Sequence, residues 1–427
     1  MSMVVLLTGA SGFIGRHLAA ALLKNGHEIV CASRHSPTGQ LAGCRHVEAD
    51  FTRDFDVETW LPRLERVDIV INAVGIIAER GAQTFDAIHD RTPRAMFAAC
   101  VAAGVGLVIQ VSALGADQDA RSGYHRSKKS ADDFLLALPI DSVIVQPSLV
   151  FGKNGTSARL FAQLASLPLI PLPGRGDQMV QPIHIDDLVE GIVALLTAIT
   201  WRRVRIPLVG PFPLSFKEML STFRRSMKMT PARFIPVPRG VVRAAARLGD
   251  WIPCMLLRRE TLEMLERGNT GDPAMTTALL GRASRPVEQF IPSQDASDIA
   301  LRAKLGWLLP LLRISIALVW IWTAFVSAGL YPVDASYALL ERTGIPETLA
   351  PLMLYGAASL DLLLGIAILI MPRRRVVWLV QLGLILCYSV IITWKLPEFW
   401  LHPYGPLTKN LPMLAAIWLI LELQDKT

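Results

Sequence analysis

Tyr124 and Lys128 stand four residues apart in Tyr124-His125-Arg126-Ser127-Lys128-Lys129, and Ser112 lies twelve positions upstream of the tyrosine. On a helix this spacing puts the phenol and the ammonium on one face, one turn apart. A tyrosine with an ordinary pKa near 10 is a weak acid–base group at neutral pH, and a neighbouring ammonium favours its phenolate. So placed, Tyr124 would exchange a proton with a substrate oxygen, Lys128 would tune the phenol, and the Ser112 hydroxyl would orient that oxygen. Such a trio needs a hydride carrier beside it. A lone Y-x-x-x-K is often only an exposed helix face, so the elements around it decide.

Those elements read as a nucleotide-binding sheet. The apolar run 3–7 leads into Thr8-Gly9-Ala10-Ser11-Gly12-Phe13-Ile14-Gly15, and a helical pattern follows over Phe13–Lys24. In a strand, turn and helix of this kind Gly9 permits the tight turn, Gly12 lets the backbone approach a pyrophosphate, and Gly15 packs the helix on the sheet. The helix N-terminus offers N–H groups and the positive end of its dipole to the phosphates. Ser11, Phe13 and Ile14 complete the expected cofactor-binding loop. A second strand, Glu28–Ser33, ends at Arg34 with no acid there. An acid at this place holds the ribose 2′-OH of NAD, whereas a base suits the 2′-phosphate of NADP, so NADP(H) is expected and NAD(H) is the alternative. A third strand at 46–48 runs into Asp50 and Phe51, where Asp50 either faces the adenine edge or forms a turn. The fourth, 67–72, ends in Asn72-Ala73-Val74-Gly75, a small-residue turn at the carboxyl end of a strand, where open α/β sheets bind ligands. Asn72, Ala73 and Gly75 are therefore candidates. A fifth strand, Leu107–Val111, ends on Ser112, and a sixth over 146–151 carries Pro147. His184 precedes Asp186 and Asp187 at an ordinary helix start, and is expected to orient a loop rather than react.

In this order the landmarks resemble the short-chain dehydrogenase/reductases, especially the extended and atypical members. The resemblance covers residues 1 to about 300. It rests on TGASGFIG at 8–15, Asp50, the Asn72–Gly75 turn, Ser112, YHRSK at 124–128, QPSLVFG at 146–152 and QPIHIDDL at 181–188. It implies an α/β doubly wound parallel sheet of Rossmann type over 1–210 and a small helical substrate-binding portion over 211–305. It also gives Ser112, Tyr124 and Lys128 catalytic roles, with Lys128 on the nicotinamide ribose and Asn72 near the site. The basic Arg34 departs from the NAD-using pattern. Within 211–305, helical patterns at 216–227, 241–248 and 256–267 alternate with proline-rich joints. Arg239, Arg243, Arg247, Arg258 and Arg259 there make either a solvated basic face or one that rests on anionic headgroups.

Composition changes after residue 306. The chain of 427 residues is 52% hydrophobic and 19% charged, below the usual ~25%, with mean hydropathy +0.39. A bilayer span needs ~20 mostly apolar residues. Runs at 307–331, 349–371, 376–394 and 407–423 predict an all-α four-helix transmembrane domain, the last weakened by Lys409, Asn410, Pro412 and Glu422. Trp307, Trp320, Tyr331, Trp378 and Trp394 suit an aromatic belt. The basic cluster Arg373-Arg374-Arg375 predicts a cytoplasmic loop, and four spans then put both termini in the cytoplasm of a cell whose inner membrane the chain crosses. The net charge of +7 fits membrane-proximal arginines. No zinc-finger spacing, RNA-binding signature or basic zipper accompanies it, which argues against nucleic acid. The five scattered cysteines form no C-x-x-C pair, so neither a metal site nor a disulfide framework is expected, and a reducing compartment is. Arg313 and Asp361 fall inside spans, where charges are functional candidates or structural partners.

This half resembles the DoxX-like membrane domains, four-helix modules associated with redox proteins, through YGAASLDLLLG at 355–365 and PEFWLHPYGPLTKN at 397–410. The resemblance adds an oligomeric or respiratory/redox protein partner to the lipid bilayer. The expected function is a membrane-anchored NADP(H)-dependent oxidoreductase acting on a small lipophilic carbonyl, alcohol or quinone-like substrate. Epimerase or dehydratase chemistry by transient hydride transfer stays open. The alternatives are a non-catalytic NADPH-binding sensor or assembly factor, and a membrane carrier regulated by its nucleotide domain.

Overall fold

A computed structural model describes residues 2–36, 41, 44–198, 200–249 and 259–423. The chain divides into two compact units, Met1–Ala300 and Leu301–Thr427.

The first unit is built on a seven-stranded sheet. Its strands are β1 (Val4–Thr8), β2 (Glu28–Ser33), β3 (Arg45–Glu48), β4 (Ile69–Asn72), β5 (Leu107–Val111), β6 (Ser142–Pro147) and β7 (Val204–Leu208), in the order β7-β6-β5-β4-β1-β2-β3. All neighbours run parallel. Near-continuous apolar runs such as Val4-Val5-Leu6-Leu7 suit this arrangement, because a parallel sheet is covered on both faces. The period of two sorts the side chains: Val5, Leu7, Ile71 and Ile109 enter one core, and Leu6, Val70 and Val108 the other. Strand order reverses between β1 and β4, so a crevice for ligands lies at their carboxyl ends. Helix α1 (Phe13–Lys24) follows β1, α2 (Thr92–Ala102) precedes β5, and α3 (Gly123–Ala137) joins β5 to β6.

Two strand expectations need correction. The sixth strand lies at Ser142–Pro147, not 146–151, because Pro147 has no N–H with which to continue the ladder. Val150–Phe151 instead pairs separately with Ile183–His184. The seventh strand was not anticipated. Its run Val204-Arg205-Ile206-Pro207-Leu208 mixes a charge and a proline into the apolar pattern, which an edge strand tolerates. In the substrate portion, Phe216–Ser226 starts with a Ser215/Glu218 capping box. Arg233–Val237 forms an unexpected strand beside Leu169–Pro173. The helical patterns at 241–248 and 256–267 appear as Arg239–Gly249 and Arg259–Arg267. Residues 256–258, with Arg258, lie outside the described residues.

The glycine turn is sterically fixed. Gly9 has φ +70°, and a Cβ there would meet the Ala73 carbonyl oxygen at 2.8 Å, whereas one on Gly15 would sit 2.0 Å from the Gly9 oxygen. Gly15→Ala should therefore lower the thermal unfolding midpoint, at an overpacking cost of about 1–3 kcal/mol. A melting curve alongside a NADPH titration would check this, and an unshifted midpoint would refute the close approach.

Among the described residues, three helices are long and apolar enough to cross a membrane: Ala296–Leu330, which begins before the boundary of the second unit, Glu347–Ile370 and Arg375–Lys395. The fourth expected span is shorter. The helix Asn410–Leu423 has 14 residues, about 21 Å at ~1.5 Å per residue against a ~30 Å hydrocarbon core. Pro403, Gly405 and Pro406 fall in the turns that delay its start. A helix at Val333–Arg342 was not foreseen. Leu309, Ile316, Trp320, Leu364, Trp378 and Ile417 pack the interior, and many large apolar side chains such as Leu318 and Trp322 face outward, as lipid contact requires. A Cβ on Gly365 would sit 3.0 Å from the Ala317 carbonyl oxygen, the close helix approach that small residues permit in membranes. Trp320 Nε1 donates to Gln381 Oε1 at 2.9 Å. Among the described residues, no ion pair joins Asp361 to Arg313 or to Lys395. Asp361 Oδ1 and Arg313 Nε are both buried without a hydrogen-bond partner.

Candidate active site

The N-terminus of α3 is capped by Ser122, whose Oγ accepts the His125 N–H at 3.2 Å. The helix then presents Tyr124, Lys128 and Asp132 at successive four-residue steps, one stripe aimed at the carboxyl ends of β4 and β5. Lys128 Nζ donates to the Val74 oxygen at 3.2 Å and the Val111 oxygen at 3.1 Å, which pins the ammonium between the two strand ends. Burial lowers its pKa to about 8, with Asp132 opposing. Tyr124 and Lys128 share this face of the helix, one turn apart, and Asp132 links Ser112 to the same stripe. The Ser112 hydroxyl donates to Asp132 Oδ2 in a short hydrogen bond.

Asp132 was not singled out in the sequence, although it is the third step of the Tyr124/Lys128 stripe. It is fully buried, and its Oδ1 has no partner. Burial pushes its carboxyl up to about 7, against the Ser112 hydrogen bond and the charges of Lys128 and Arg205.

His89 is the second residue that sequence reasoning missed. Its Nε2 accepts the Ile76 N–H at 2.9 Å, so the neutral ring carries its hydrogen on Nδ1 and points it at Ser127 Oγ, 3.1 Å away. Ser127 Oγ in turn donates to the Tyr124 carbonyl at 2.9 Å. Burial and the Lys128 charge push His89 down to about 2, so the ring stays neutral. Phe85, His89 and His125 box the phenol, with ring centroids at 6.1, 5.3 and 5.3 Å. This box changes the expected chemistry. Burial, then Asp132, pushes Tyr124 up to about 12, so the phenol is held protonated rather than poised as phenolate.

The nucleotide end is as specific. Gly12 caps α1 without any side-chain hydrogen bond, and the first turn holds no acid, which leaves its N–H groups for an anion. A Cβ on Gly12 would touch only the Gly9 oxygen, at 3.1 Å, so the backbone there is open to a phosphate. Ser11 is exposed, Ile14 packs on the core, and Phe13 fills the space beside Gly152 and Gly155. A Cβ on Gly75 would come 3.3 Å from Lys128 Nζ. The uncapped helix, the bare Gly12 backbone and the Lys128 ammonium fit a dinucleotide across the β1/β4 crevice.

Other candidates take structural work. Asn72 accepts from Thr8 Oγ1 at 2.6 Å and donates to Gln110 Oε1 at 2.7 Å, so it ties β1, β4 and β5 together instead of facing the crevice. Asp50 Oδ1 accepts the Thr52 N–H at 2.9 Å and its hydroxyl at 2.7 Å. Burial raises its pKa, but Thr52, Arg53 and Arg34 outweigh that and hold it below the usual range; it forms the turn. Arg34 is exposed at the end of β2. Phe51 is buried against Trp60 at 5.6 Å. The Ala73 carbonyl lies over Gly9, and the buried Pro147 accepts the Leu114 N–H at 3.0 Å. His184 accepts the Asp186 N–H at 3.3 Å and so caps Ile185–Ala194 itself, where it was expected to orient a loop.

A cavity of about 510 Å³ lies alongside α3, lined by Ser122, His125, Gln178, Arg239, Glu263 and Arg267 among others. Arg267 closes one side, donating to the Gly115 carbonyl at 2.6 Å and to both Asp117 oxygens. His125 Nε2 is buried with no partner.

Comparison with known proteins identifies two regions of the chain. Residues 5–204 match the NAD dependent epimerase/dehydratase family and residues 317–418 the DoxX-like family. The ceramide reductase of Caulobacter vibrioides is 28% identical over 251 residues, 58% of this chain and 78% of that protein. The mitochondrial NADH dehydrogenase [ubiquinone] 1 alpha subcomplex subunit 9 of Mus musculus is 28% identical over 199 residues, 44% of this chain and 52% of that subunit. A nucleoside-diphosphate-sugar epimerase from Staphylococcus aureus superposes with TM-score 0.56 at 17% identity, covering 68% of this chain and 99% of that one. UDP-glucuronic acid 4-epimerase from Bacillus cereus, in complex with UDP-glucuronic acid and NAD, gives 0.52 at 19% identity, with 71% and 100% covered. At these identities the structures show a shared fold. The chain therefore combines an NAD-dependent epimerase/dehydratase domain of Rossmann type with a DoxX-like domain, in a membrane-associated NAD(P)-dependent enzyme of the oxidoreductase/epimerase type.

Proposed function

We propose that this protein reduces a ketone on a ceramide-type lipid with NADPH, through Ser112, Tyr124 and Lys128. The observation that carries this reading is the stripe of Tyr124, Lys128 and Asp132 at the mouth of the β1/β4 crevice, with Ser112 bonded to its end. The likeness to a ceramide reductase and the membrane-length helices support a lipid substrate. NADPH held by the Gly9–Gly15 turn and Lys128 would supply the hydride. Tyr124, protonated at neutral pH, gives its proton to the carbonyl oxygen, so that hydride and proton together make the alcohol. Lys128 stabilises the phenolate left behind. Ser112 can donate to the same oxygen only while its own hydrogen is not turned toward Asp132. That condition is met when Asp132 carries a proton and donates to Ser112 Oγ. His89, neutral at all working pH, holds the Tyr124 backbone through Ser127.

Arg34 is the reason for preferring NADPH, as its exposed guanidinium suits a 2′-phosphate. Arg34→Ala should weaken NADPH binding about tenfold and leave NADH binding unchanged, the worth of one charge-assisted hydrogen bond; fluorescence titration with both nucleotides checks it. Equal effects on both would remove the NADP assignment. In topology, two spans separate the nucleotide domain from the loop at Arg373–Arg375, so both lie on one side. The arginine cluster makes that side cytoplasmic.

The direct test uses the full chain in nanodiscs with NADPH and a ceramide bearing a ketone. Turnover to the hydroxylated ceramide is expected. NADPH binding without oxidation in the presence of any ketolipid would replace the reductase with a nucleotide-holding protein.

A further inference from the structure

Helix Arg239–Gly249 carries two apolar faces where a helix on a soluble domain needs one. The inner face is Val242, Ala246 and Gly249, buried with Leu262 and Val237. The outer face is Val241, Ala244, Ala245 and Leu248, spaced as one stripe of a helix, with Val241 57% and Leu248 69% exposed. Arg239, Arg243 and Arg247 recur every four residues on the remaining exposed face, Arg247 one turn from Ala244 and Arg243 paired with Glu266 at 2.9 Å. The strand that runs directly into the helix continues the pattern. Ile235 is exposed on it, and Leu169 is exposed on the partner strand.

We infer that this face lies on the surface of an anionic bilayer, with Val241 and Leu248 in the headgroup–acyl boundary and Arg247, one turn from Ala244, at the phosphates. An exposed apolar face with basic residues on the rest of the exposed surface is the arrangement of helices that rest in a membrane interface. Long arginine side chains allow it, since their stems stay in the apolar layer while the guanidinium groups reach the headgroups. The charge complementarity selects anionic lipid. The occupant is at hand, because the same chain carries three helices of membrane-spanning length and so holds its nucleotide-binding unit within reach of a bilayer. A further step rests on the reductase reading above. Arg239 lines the cavity that His125 also lines, and His125 stacks edge-on to Tyr124. Docking this helix therefore brings the rim of the candidate substrate cavity to the headgroup layer, where a lipid can enter without crossing water.

The test places a photoreactive benzoylphenylalanine at Leu248 of the full chain, and at exposed Glu58 as a control. Nanodiscs are made of phosphatidylcholine alone or mixed equally with phosphatidylglycerol. Lipid adducts are expected at position 248 and not at 58, more abundant in the anionic discs, with Arg247→Gln removing that preference. Adducts to a second copy of the chain, or none to lipid in either disc, would overturn the docking. A double variant, Val241→Asp with Leu248→Asp, separates the second step. It should raise the KM for the ketolipid in anionic discs about tenfold, with NADPH binding and turnover of a short-chain soluble ketone unchanged. An unchanged KM beside a lipid adduct would overturn the entry route alone. Absence of turnover with every ketone would defeat the reductase reading while the adducts still report docking.

Discussion

Tyr124→Phe should bind NADPH as tightly as the parent and reduce its ketone about 10²–10⁴-fold more slowly, the usual worth of a positioned acid–base group. The substitution removes one oxygen and keeps the ring that Phe85, His89 and His125 surround, so the packing of α3 stays. Its effect should appear in kcat, because the phenol acts on the carbonyl oxygen as the hydride arrives and not on the resting complex. Single-turnover NADPH oxidation, with a melting curve on the same sample, measures both halves. A parallel fall in NADPH affinity would make the tyrosine a structural element of the crevice. Unchanged turnover would leave a nucleotide-binding protein whose trio is unused. Because burial holds the phenol up to about 12, the parent keeps this proton across the whole working range, and no pH limb below that value belongs to Tyr124.

The parts of this molecule legible in the sequence are those whose geometry depends on neighbours in the chain. Gly9 and Gly15 announce themselves because no side chain fits where they stand, and the Tyr124/Lys128 pair because four residues make one helical turn. The apolar runs of β1, β4 and β5 announce buried strands for the same local reason. What stayed hidden depends on contacts made across the fold. His89 meets Ile76, Ser127 and the Lys128 charge only once the sheet has formed. Asn72 reads as a site residue until Thr8 and Gln110 arrive on the flanking strands and take its hydrogen bonds. For Tyr124, spacing places an ammonium one turn away but says nothing of the burial that raises its pKa. β7 was lost because Arg205 and Pro207 break its pattern, and the fourth span because apolar content says nothing of where Pro403 and Pro406 let the helix begin. The stripe behind Lys128 was there to be read: the four-residue interval that paired Tyr124 with Lys128 continues to Asp132.

That third step sets the second large effect. Asp132→Asn should abolish a decline in reductive turnover that the parent shows as pH rises through about 7. The sign follows from the Ser112 hydrogen. Below that pH the carboxyl is protonated, donates to Ser112 Oγ, and frees the serine hydrogen for the substrate oxygen. Above it the carboxylate draws that hydrogen to itself, and the substrate loses a donor. The other groups facing the site titrate elsewhere: His89 near 2, His125 near 4 and Tyr124 near 12. Lys128 follows at about 8 and adds a further decline. An asparagine at 132 can offer its amide N–H to Ser112 at every pH, so the limb near 7 should vanish and the Lys128 limb remain. Asp132→Ala leaves the serine hydroxyl without a buried partner and should lower kcat about 10–100-fold, the cost of a misdirected donor, ~1–3 kcal/mol. Infrared difference spectra give a readout independent of turnover. The protonated-carboxyl stretch should fade through the same pH range in the parent and be missing in Asp132→Asn. A limb near 7 that survives the asparagine substitution would remove Asp132 from the mechanism and leave Ser112 to orient the carbonyl unaided.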